Sequence, residues 1–282
     1  MSQLLESKVY FVGAGPGAVD LLTLRAVRLL AQAEIVLYDA LVGPEVLAIA
    51  PQAKKLNVGK RCGRPSMAQR TINLLLVDAA LSFKTVVRLK GGDPGVFGRL
   101  NEELVALHQA QIPYEIVPGI TTAIAAAAQL GVALTERGVA RSVIFATPAL
   151  GFGEDANKDW SKADRASTLC LYMAGGELGA CARRLMAEGW PADTPVRAVQ
   201  NVSSREAQVW SGSLRSAPSR LPGPVVVLVG RAISDKGASA LKMEVVERLA
   251  PGPTTSENAK SSHAPDQVRE TLLASPSPGL LP

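Results

Sequence analysis

Between Val9 and about Pro118, short apolar, β-branched runs alternate with stretches whose apolar positions recur at helical spacing. The runs VYFV, EIVLYD, KKLNVG, TVVRLK and YEIVP predict strands, and LLTLRAVRLLAQA, PEVLAIA, QRTINLLLVDAAL and NEELVALHQA predict the helices between them. Strands alternating with crossover helices imply an α/β chain with a mostly parallel sheet. A second alternation follows: the helix TTAIAAAAQLGV, the strands SVIFAT and TLCLYM, the helix ELGACARRLMAEG, and the strands PVRAVQN, AQVWSGSL and PVVVLVG. This half reads as mixed α/β. Pro118 and Gly119 break regular structure, which divides the chain into an N-terminal α/β domain (1–118) and a C-terminal mixed α/β domain (119–235). From 236 to 282 the pattern decays into the composition of a disordered tail, and no internal repeat of solenoid period occurs.

The 282 residues, 47% of them hydrophobic, suffice for two cores. A net charge of +5 would permit a nucleic-acid partner, but with only 4% aromatic residues and no dense Lys/Arg run a small polyanionic substrate explains the charge equally well. Cys62, Cys170 and Cys181 are odd in number and form no CxxC pair, so neither a disulfide framework nor a zinc site is expected, and a reducing cytoplasm is implied. The start MSQLLESKVYFVG lacks the charged and apolar regions of a leader, and the longest apolar stretch is too short for a bilayer. A soluble cytoplasmic protein without a membrane partner is therefore expected. His108 falls in a helical pattern and His263 in a polar, proline-rich stretch, which removes histidine triads and HExxH zinc chemistry and leaves no metal in the expected mechanism.

Three glycine sites carry the chemistry. In VYFVGAGPGAVD, Gly13, Gly15 and Ala18 fit the permissive dinucleotide spacing, and Asp39 lies where a ribose-binding acid would sit. Pro16 argues the other way, because it has no amide hydrogen to offer a pyrophosphate. In RLKGGDPGVFGR, Gly91 and Gly92 allow close backbone approach at a strand end, and Asp93 would repel a phosphate while accepting a hydroxyl, an amino group or a sulfonium. In YEIVPGITTAIAAAA, Thr121 and Thr122 stand at a helix start, where their hydroxyls can cap the helix or bond a ligand.

The trio GAGPG, KGGDP and VPGITTA, in this order and at these intervals, resembles the tetrapyrrole methylase superfamily, and within it the uroporphyrinogen-III C-methyltransferase family. LLTLRAVRLLAQAEIVLYDALV, NVGKRCG, GDPGVFGR, LYM, DTPVRAVQN and PVVVLVG look similar as well, so the resemblance covers roughly 8–233. It implies the tetrapyrrole methylase fold, two α/β domains with the active site in the cleft between them, in a homodimer. It implies S-adenosylmethionine as methyl donor and C-methylation of uroporphyrinogen III at C2 and C7 to give precorrin-2, with another precorrin or related tetrapyrrole, or a low-activity cofactor-binding paralogue, as the alternatives. Carried over residue by residue, the cofactor contacts are Pro16, Gly91, Gly92, Asp93, Val96, Thr121, Thr122, Met173, Val202 and Gly230.

Methyl transfer from a sulfonium to an electron-rich pyrrole carbon needs positioning and proton removal rather than a metal or a covalent residue. Asp39 in the matching YDxLV stretch is the proposed acid/base or pyrrole-nitrogen-orienting group, the other reading being a helix cap or backbone bond. The implied substrate carries eight carboxylates, for which Lys60, Arg61, Arg64, Arg99, Arg137 and Arg141 are the candidate cations. The chain departs from the family's usual pattern at Gly95, Leu100, Asn101, Ser66, Glu136, Pro148 and Ala149. These departures cluster on the expected tetrapyrrole side and largely spare the cofactor motifs.

Overall fold

In the computed structural model, which describes residues 7–59, 68–148 and 159–234, each of the ten apolar runs forms a strand. The first five are β1 (Lys8–Gly13), β2 (Ile35–Tyr38), β3 (Lys54–Asn57), β4 (Thr85–Lys90) and β5 (Tyr114–Val117). They pair in the order β3-β2-β4-β1-β5, every pair parallel. Four helices cover the two faces: α1 (Leu24–Gln32), α2 (Pro44–Leu47), α3 (Gln69–Ser82) and α4 (Leu100–Gln109). Alternation along the strands sorts the core. Val12, Val36, Val87 and Leu89 face α1 and α2, whereas Val9, Phe11, Ile35, Leu37 and Val86 face α3 and α4.

Two local details differ from the periodicity. The helix expected through PEVLAIA is a single turn opened by Pro44, because Pro51 biases Ala50 away from the helical region. The helix after GAGPG starts late: Val19–Leu21 form a 3-10 turn, and α1 opens only at Leu24, where the Thr23 hydroxyl accepts from Ala26 N at 3.1 Å.

The later residues form a second five-stranded sheet in the order β6-β7-β10-β8-β9, from β6 (Ser142–Ala146), β7 (Ser167–Tyr172), β8 (Pro195–Gln200), β9 (Gln208–Ser213) and β10 (Val225–Val229). Only β6 and β7 run parallel; the other three pairings are antiparallel. Helix α6 (Leu178–Ala187) packs on one face with Leu169, Leu171 and Val227. Helix α5 (Thr122–Gln129) packs on the other, where Ala123, Ala125, Ala126 and Ala127 bring its backbone close to Cys170, Val199, Val226 and Leu228. The central strand β10, VVVLV, is buried on both faces, which explains its unbroken apolar run.

The first sheet determines where a ligand can bind. The chain leaves β1 across β4 to reach β2, and leaves β4 across β1 to reach β5, so the connections of these central neighbours run in opposite directions. A crevice opens at the carboxyl ends of parallel strands at such a switch point. GAGPG and KGGDP are the two loops there.

Candidate functional site

The glycine loops are joined backbone to backbone. Ala14 N donates to the Lys90 carbonyl at 2.7 Å, and Gly15 and Gly92 exchange both main-chain hydrogen bonds, at 3.1 and 2.8 Å. A Cβ on Gly13 would stand 2.6 Å from Gly119 Cα and 2.7 Å from the Gly92 carbonyl oxygen, so only glycine lets the three loops meet. Gly15 and Gly92 also hold left-handed φ values of +67° and +65°. Asp93 completes the joint: its Oδ1 accepts from Gly95 N at 2.8 Å and its Oδ2 from Gly119 N at 3.0 Å. Its carboxylate thus ties the second loop to the third.

These bonds decide against a pyrophosphate cradle. Pro16 has no N–H, the amides of Ala14 and Gly15 are spent within the sheet edge, and α1 begins seven residues beyond Gly17 with its own threonine cap. A nucleoside without phosphates is compatible with this turn.

The second sheet presents one end to these loops. Tyr172, the last residue of β7, exchanges a hydrogen bond with Thr121 Oγ1 at 2.7 Å and accepts from Ala123 N at 3.2 Å. Burial pushes the Tyr172 phenol up from its ordinary value, against the smaller opposing pull of these bonds. Its ring meets Phe97 at 5.0 Å and Phe145 at 5.8 Å, so three aromatic rings form a wall at this end of the second sheet. Val202 buries its side chain under α5, while its carbonyl faces Gly17, 3.5 Å from where a Cβ would be. Phe97, Met173, Asn201 and Ser203, on the loops that meet here, all hold positive φ, a strained geometry that collects at functional sites.

Beside the joint lies a buried ion cluster. Arg88 Nη2 donates to Asp39 Oδ1 at 2.6 Å and to Glu103 Oε1 at 3.1 Å, and Lys90 Nζ donates to Glu103 Oε1 at 2.9 Å. Desolvation lowers the Lys90 amine from its ordinary value, and the neighbouring Arg88 charge adds to the effect.

Residues 8–218 match the family model of the tetrapyrrole (corrin/porphyrin) methylases. The chain belongs to this family. It is 42% identical over 245 residues to the uroporphyrinogen-III C-methyltransferase of Paracoccus denitrificans, covering 84% of this chain and 85% of that one. It is also 43% identical over 239 residues to a siroheme synthase of Psychrobacter cryohalolentis, where the match covers 83% of this chain but only 46% of the relative. The chain thus spans about half the length of such siroheme synthases. Among solved structures, the uroporphyrin-III C-methyltransferase of Thermus thermophilus complexed with S-adenosyl homocysteine superposes with a TM-score of 0.72 at 35% identity, over 80% of this chain and 99% of that one. A cobalt precorrin-4 methyltransferase gives a TM-score of 0.69 at 29% identity, over 81% and 96%.

In this chain, Pro16, Gly91, Gly92, Asp93, Val96, Thr121 and Thr122 gather on the loops at the edge of the first sheet, and Met173 and Val202 stand on the facing end of the second. Gly230 does not join them. Strand β10 runs antiparallel to β7, with Val226 opposite Tyr172 and Val229 opposite Leu169, so Gly230 lies at the far end, roughly 16 Å along the strand from Met173. There a Cβ on Gly230 would meet Ser167 O at 3.0 Å, which gives the glycine a packing role.

Of the expected cations, Arg99 is exposed and doubly bonded to Glu102 at 2.7 Å, while Arg137 and Arg141 line an open hollow of about 530 Å³ with Thr135, Glu136 and Ala140. Lys60, Arg61 and Arg64 fall outside the described residues. Sequence reasoning does not single out Arg88, Lys90, Glu103, Phe97 or Tyr172. The signal for two of them is visible in TVVRLK, where charges alternate with apolar residues in a strand that must be central and buried. Among the described residues no helix is long and apolar enough to cross a membrane, and no group of three or more His, Cys, Asp or Glu could hold a metal.

Proposed function

We propose that the chain catalyses S-adenosylmethionine-dependent C-methylation of uroporphyrinogen III at C2 and C7 to give precorrin-2. The observation that carries this reading is the convergence of the three glycine loops at the β1/β4 switch point, with the Ala14, Gly15, Gly92 and Gly119 amides spent within the joint and a carboxylate among them. A sulfonium nucleoside, cationic and free of phosphate, suits such a rim. Pro16, Gly91, Gly92, Asp93, Val96, Thr121, Thr122, Met173 and the Val202 main chain would hold it. When bound, it supplies an electrophilic methyl group. The likeness to the Thermus enzyme in complex with S-adenosyl homocysteine supports the same assignment.

The chain's own residues have the complementary tasks. Their loops fix donor and acceptor in near-attack geometry, which accounts for the rigidity of the glycine joint. The Phe97–Tyr172–Phe145 wall offers an apolar face to a macrocycle. Asp39, about one-third exposed at the carboxyl end of β2, accepts or orients a pyrrole N–H or takes up a proton lost by the methylated ring. Lys60, Arg61, Arg64, Arg99, Arg137 and Arg141 receive the substrate carboxylates. A homodimer, and a division into units at Pro118 and Gly119, belong to the same reading; sedimentation velocity tests the first and limited proteolysis the second.

One observation favours a second acceptor. The likeness to a cobalt precorrin-4 methyltransferase, with a TM-score of 0.69, is nearly as close as that to the Thermus enzyme, at 0.72. Methylation of a later precorrin is that alternative. The deciding experiment supplies methyl-labelled S-adenosylmethionine with uroporphyrinogen III generated in situ. Label in the tetrapyrrole fraction is expected, and label found only with a precorrin acceptor establishes the second reading.

A further inference from the structure

The cluster around Arg88 is more than a buried ion pair. On β4, Val86, Arg88 and Lys90 share the face covered by α3 and α4. On β2, Leu37 pairs with Arg88, and Asp39 follows two residues later on the same face. Alternation therefore brings Asp39 and Arg88 to one side of the sheet at its carboxyl edge. Every nitrogen of the guanidinium is engaged: Nη1 donates to the Leu89 carbonyl at 3.2 Å, Nε to both Glu103 oxygens at 3.3 and 3.2 Å, and Nη2 to Glu103 and Asp39. Glu103 is held in turn by Lys90 and by Gln69 Nε2 at 3.3 Å, and Gln69 bonds Asn73 Oδ1 at 2.9 Å, which ties α3 and α4 to the same point.

The formal charges, two positive and two negative, sum to zero. Arg88, Lys90 and Glu103 have side chains at most 3% exposed, whereas Asp39 is 31% exposed. The cluster therefore has one open member. Among the described residues Asp39 Oδ1 is held by Arg88 and Oδ2 accepts no hydrogen bond. A cluster of this kind is a poor source of stability, because apolar side chains of similar volume commonly do as well in its place. Its value lies in fixing geometry.

We propose that Arg88, braced by Glu103 and Lys90, is a positioning residue that holds the Asp39 carboxylate in its working orientation. The inference rests on the reading of Asp39 as the group that serves the pyrrole. Arg88 does not touch substrate; it acts through Asp39, and turnover rather than donor binding depends on it.

The test compares Arg88→Met, Arg88→Lys, Asp39→Asn and the double variant Asp39→Asn/Arg88→Met. The readouts are kcat and KM for uroporphyrinogen III, S-adenosylhomocysteine affinity by calorimetry, and the Asp39 rotamer in a crystal structure of Arg88→Met. Arg88→Met leaves Lys90 and Glu103 as a neutral pair. It is expected to lower kcat roughly 10- to 100-fold, the scale of an ångström-sized misplacement, to leave donor affinity within about twofold, and to release Asp39 into other rotamers. Arg88→Lys recovers part of the loss. The double variant is no slower than Asp39→Asn alone, because both changes remove the same function. Losses that multiply in the double variant, or an unchanged kcat in Arg88→Met, overturn the proposal. Should Arg88→Met fail to fold, Arg88→Lys alone and with Asp39→Asn gives the same comparison. Full activity of Asp39→Asn overturns instead the reading of Asp39, and is distinguishable because it appears without any change at Arg88.

Discussion

Gly13→Ala tests the joint on which the site is built. The added Cβ would lie 2.6 Å from both Gly119 Cα and Gly119 N, and 2.7 Å from the Gly92 carbonyl oxygen, where ordinary carbon contacts need about 3.5 Å. All three atoms are main chain, so no rotamer change relieves the clash. The loops must separate by about 1 Å, the difference between those distances. That movement strains the Gly15–Gly92 pair and the Asp93 bond to Gly119, now at 3.0 Å. Overpacking of this kind costs about 1–3 kcal/mol, which a domain of ordinary stability survives. A displacement of about 1 Å in a reacting site costs roughly 100-fold in rate. Gly176→Ala is the control, since its Cβ meets nothing within 4 Å and the position is exposed. Urea denaturation, S-adenosylhomocysteine calorimetry and methyl transfer should show a folded Gly13→Ala protein with impaired binding and turnover, beside an unaffected Gly176→Ala. Wild-type affinity and rate in Gly13→Ala would refute the claim that the three loops must touch to form the site.

Three further outcomes follow from the same structure. Glu103→Gln removes the carboxylate that holds Arg88 and Lys90 and leaves two buried cations opposite Asp39 alone, so urea denaturation should show a loss of about 3–5 kcal/mol; a loss under 1 kcal/mol contradicts the cluster. Burial pushes the Cys170 and Cys181 thiols up to about 12, so in a Cys62→Ser protein at pH 8 a thiol reagent should label neither until denaturant is added; rapid native labelling contradicts their burial. Lys90 binds its proton more weakly folded than at its ordinary value of 10.5, so unfolding takes up a proton between its lowered folded pKa and 10.5, and stability gains with rising pH there. The stability of the wild type relative to Lys90→Met should therefore climb through that alkaline window, and a flat difference contradicts the shift.

The strands were legible because both sheets are covered on two faces, and fully buried strands leave continuous apolar, β-branched runs such as Val225–Val229. The glycine loops were legible for the complementary reason: their spacing encodes main-chain contacts that no other residue permits. The ion cluster was not, since Arg88 and Glu103 lie fifteen residues apart and only the packing of α4 on β4 brings them together. Gly230 shows a different limit. A linear motif does not reveal which end of an antiparallel strand faces the site, and the pairing of Val229 with Leu169 carries this glycine to the far end. Pro16 marks the gain from reading motifs together. Taken alone, GAGPG resembles a dinucleotide turn; beside KGGDP and VPGITTA it becomes one whose amides are spent on its neighbours.

The central claim is that these loops bring a methyl donor to a tetrapyrrole carbon. Its most direct measurement is the mass and carbon-13 spectrum of the product formed from carbon-13-methyl S-adenosylmethionine and uroporphyrinogen III generated in situ. Two labelled methyl groups, on C2 and C7, are the predicted result; a tetrapyrrole recovered without label, from protein that binds S-adenosylhomocysteine, would contradict it.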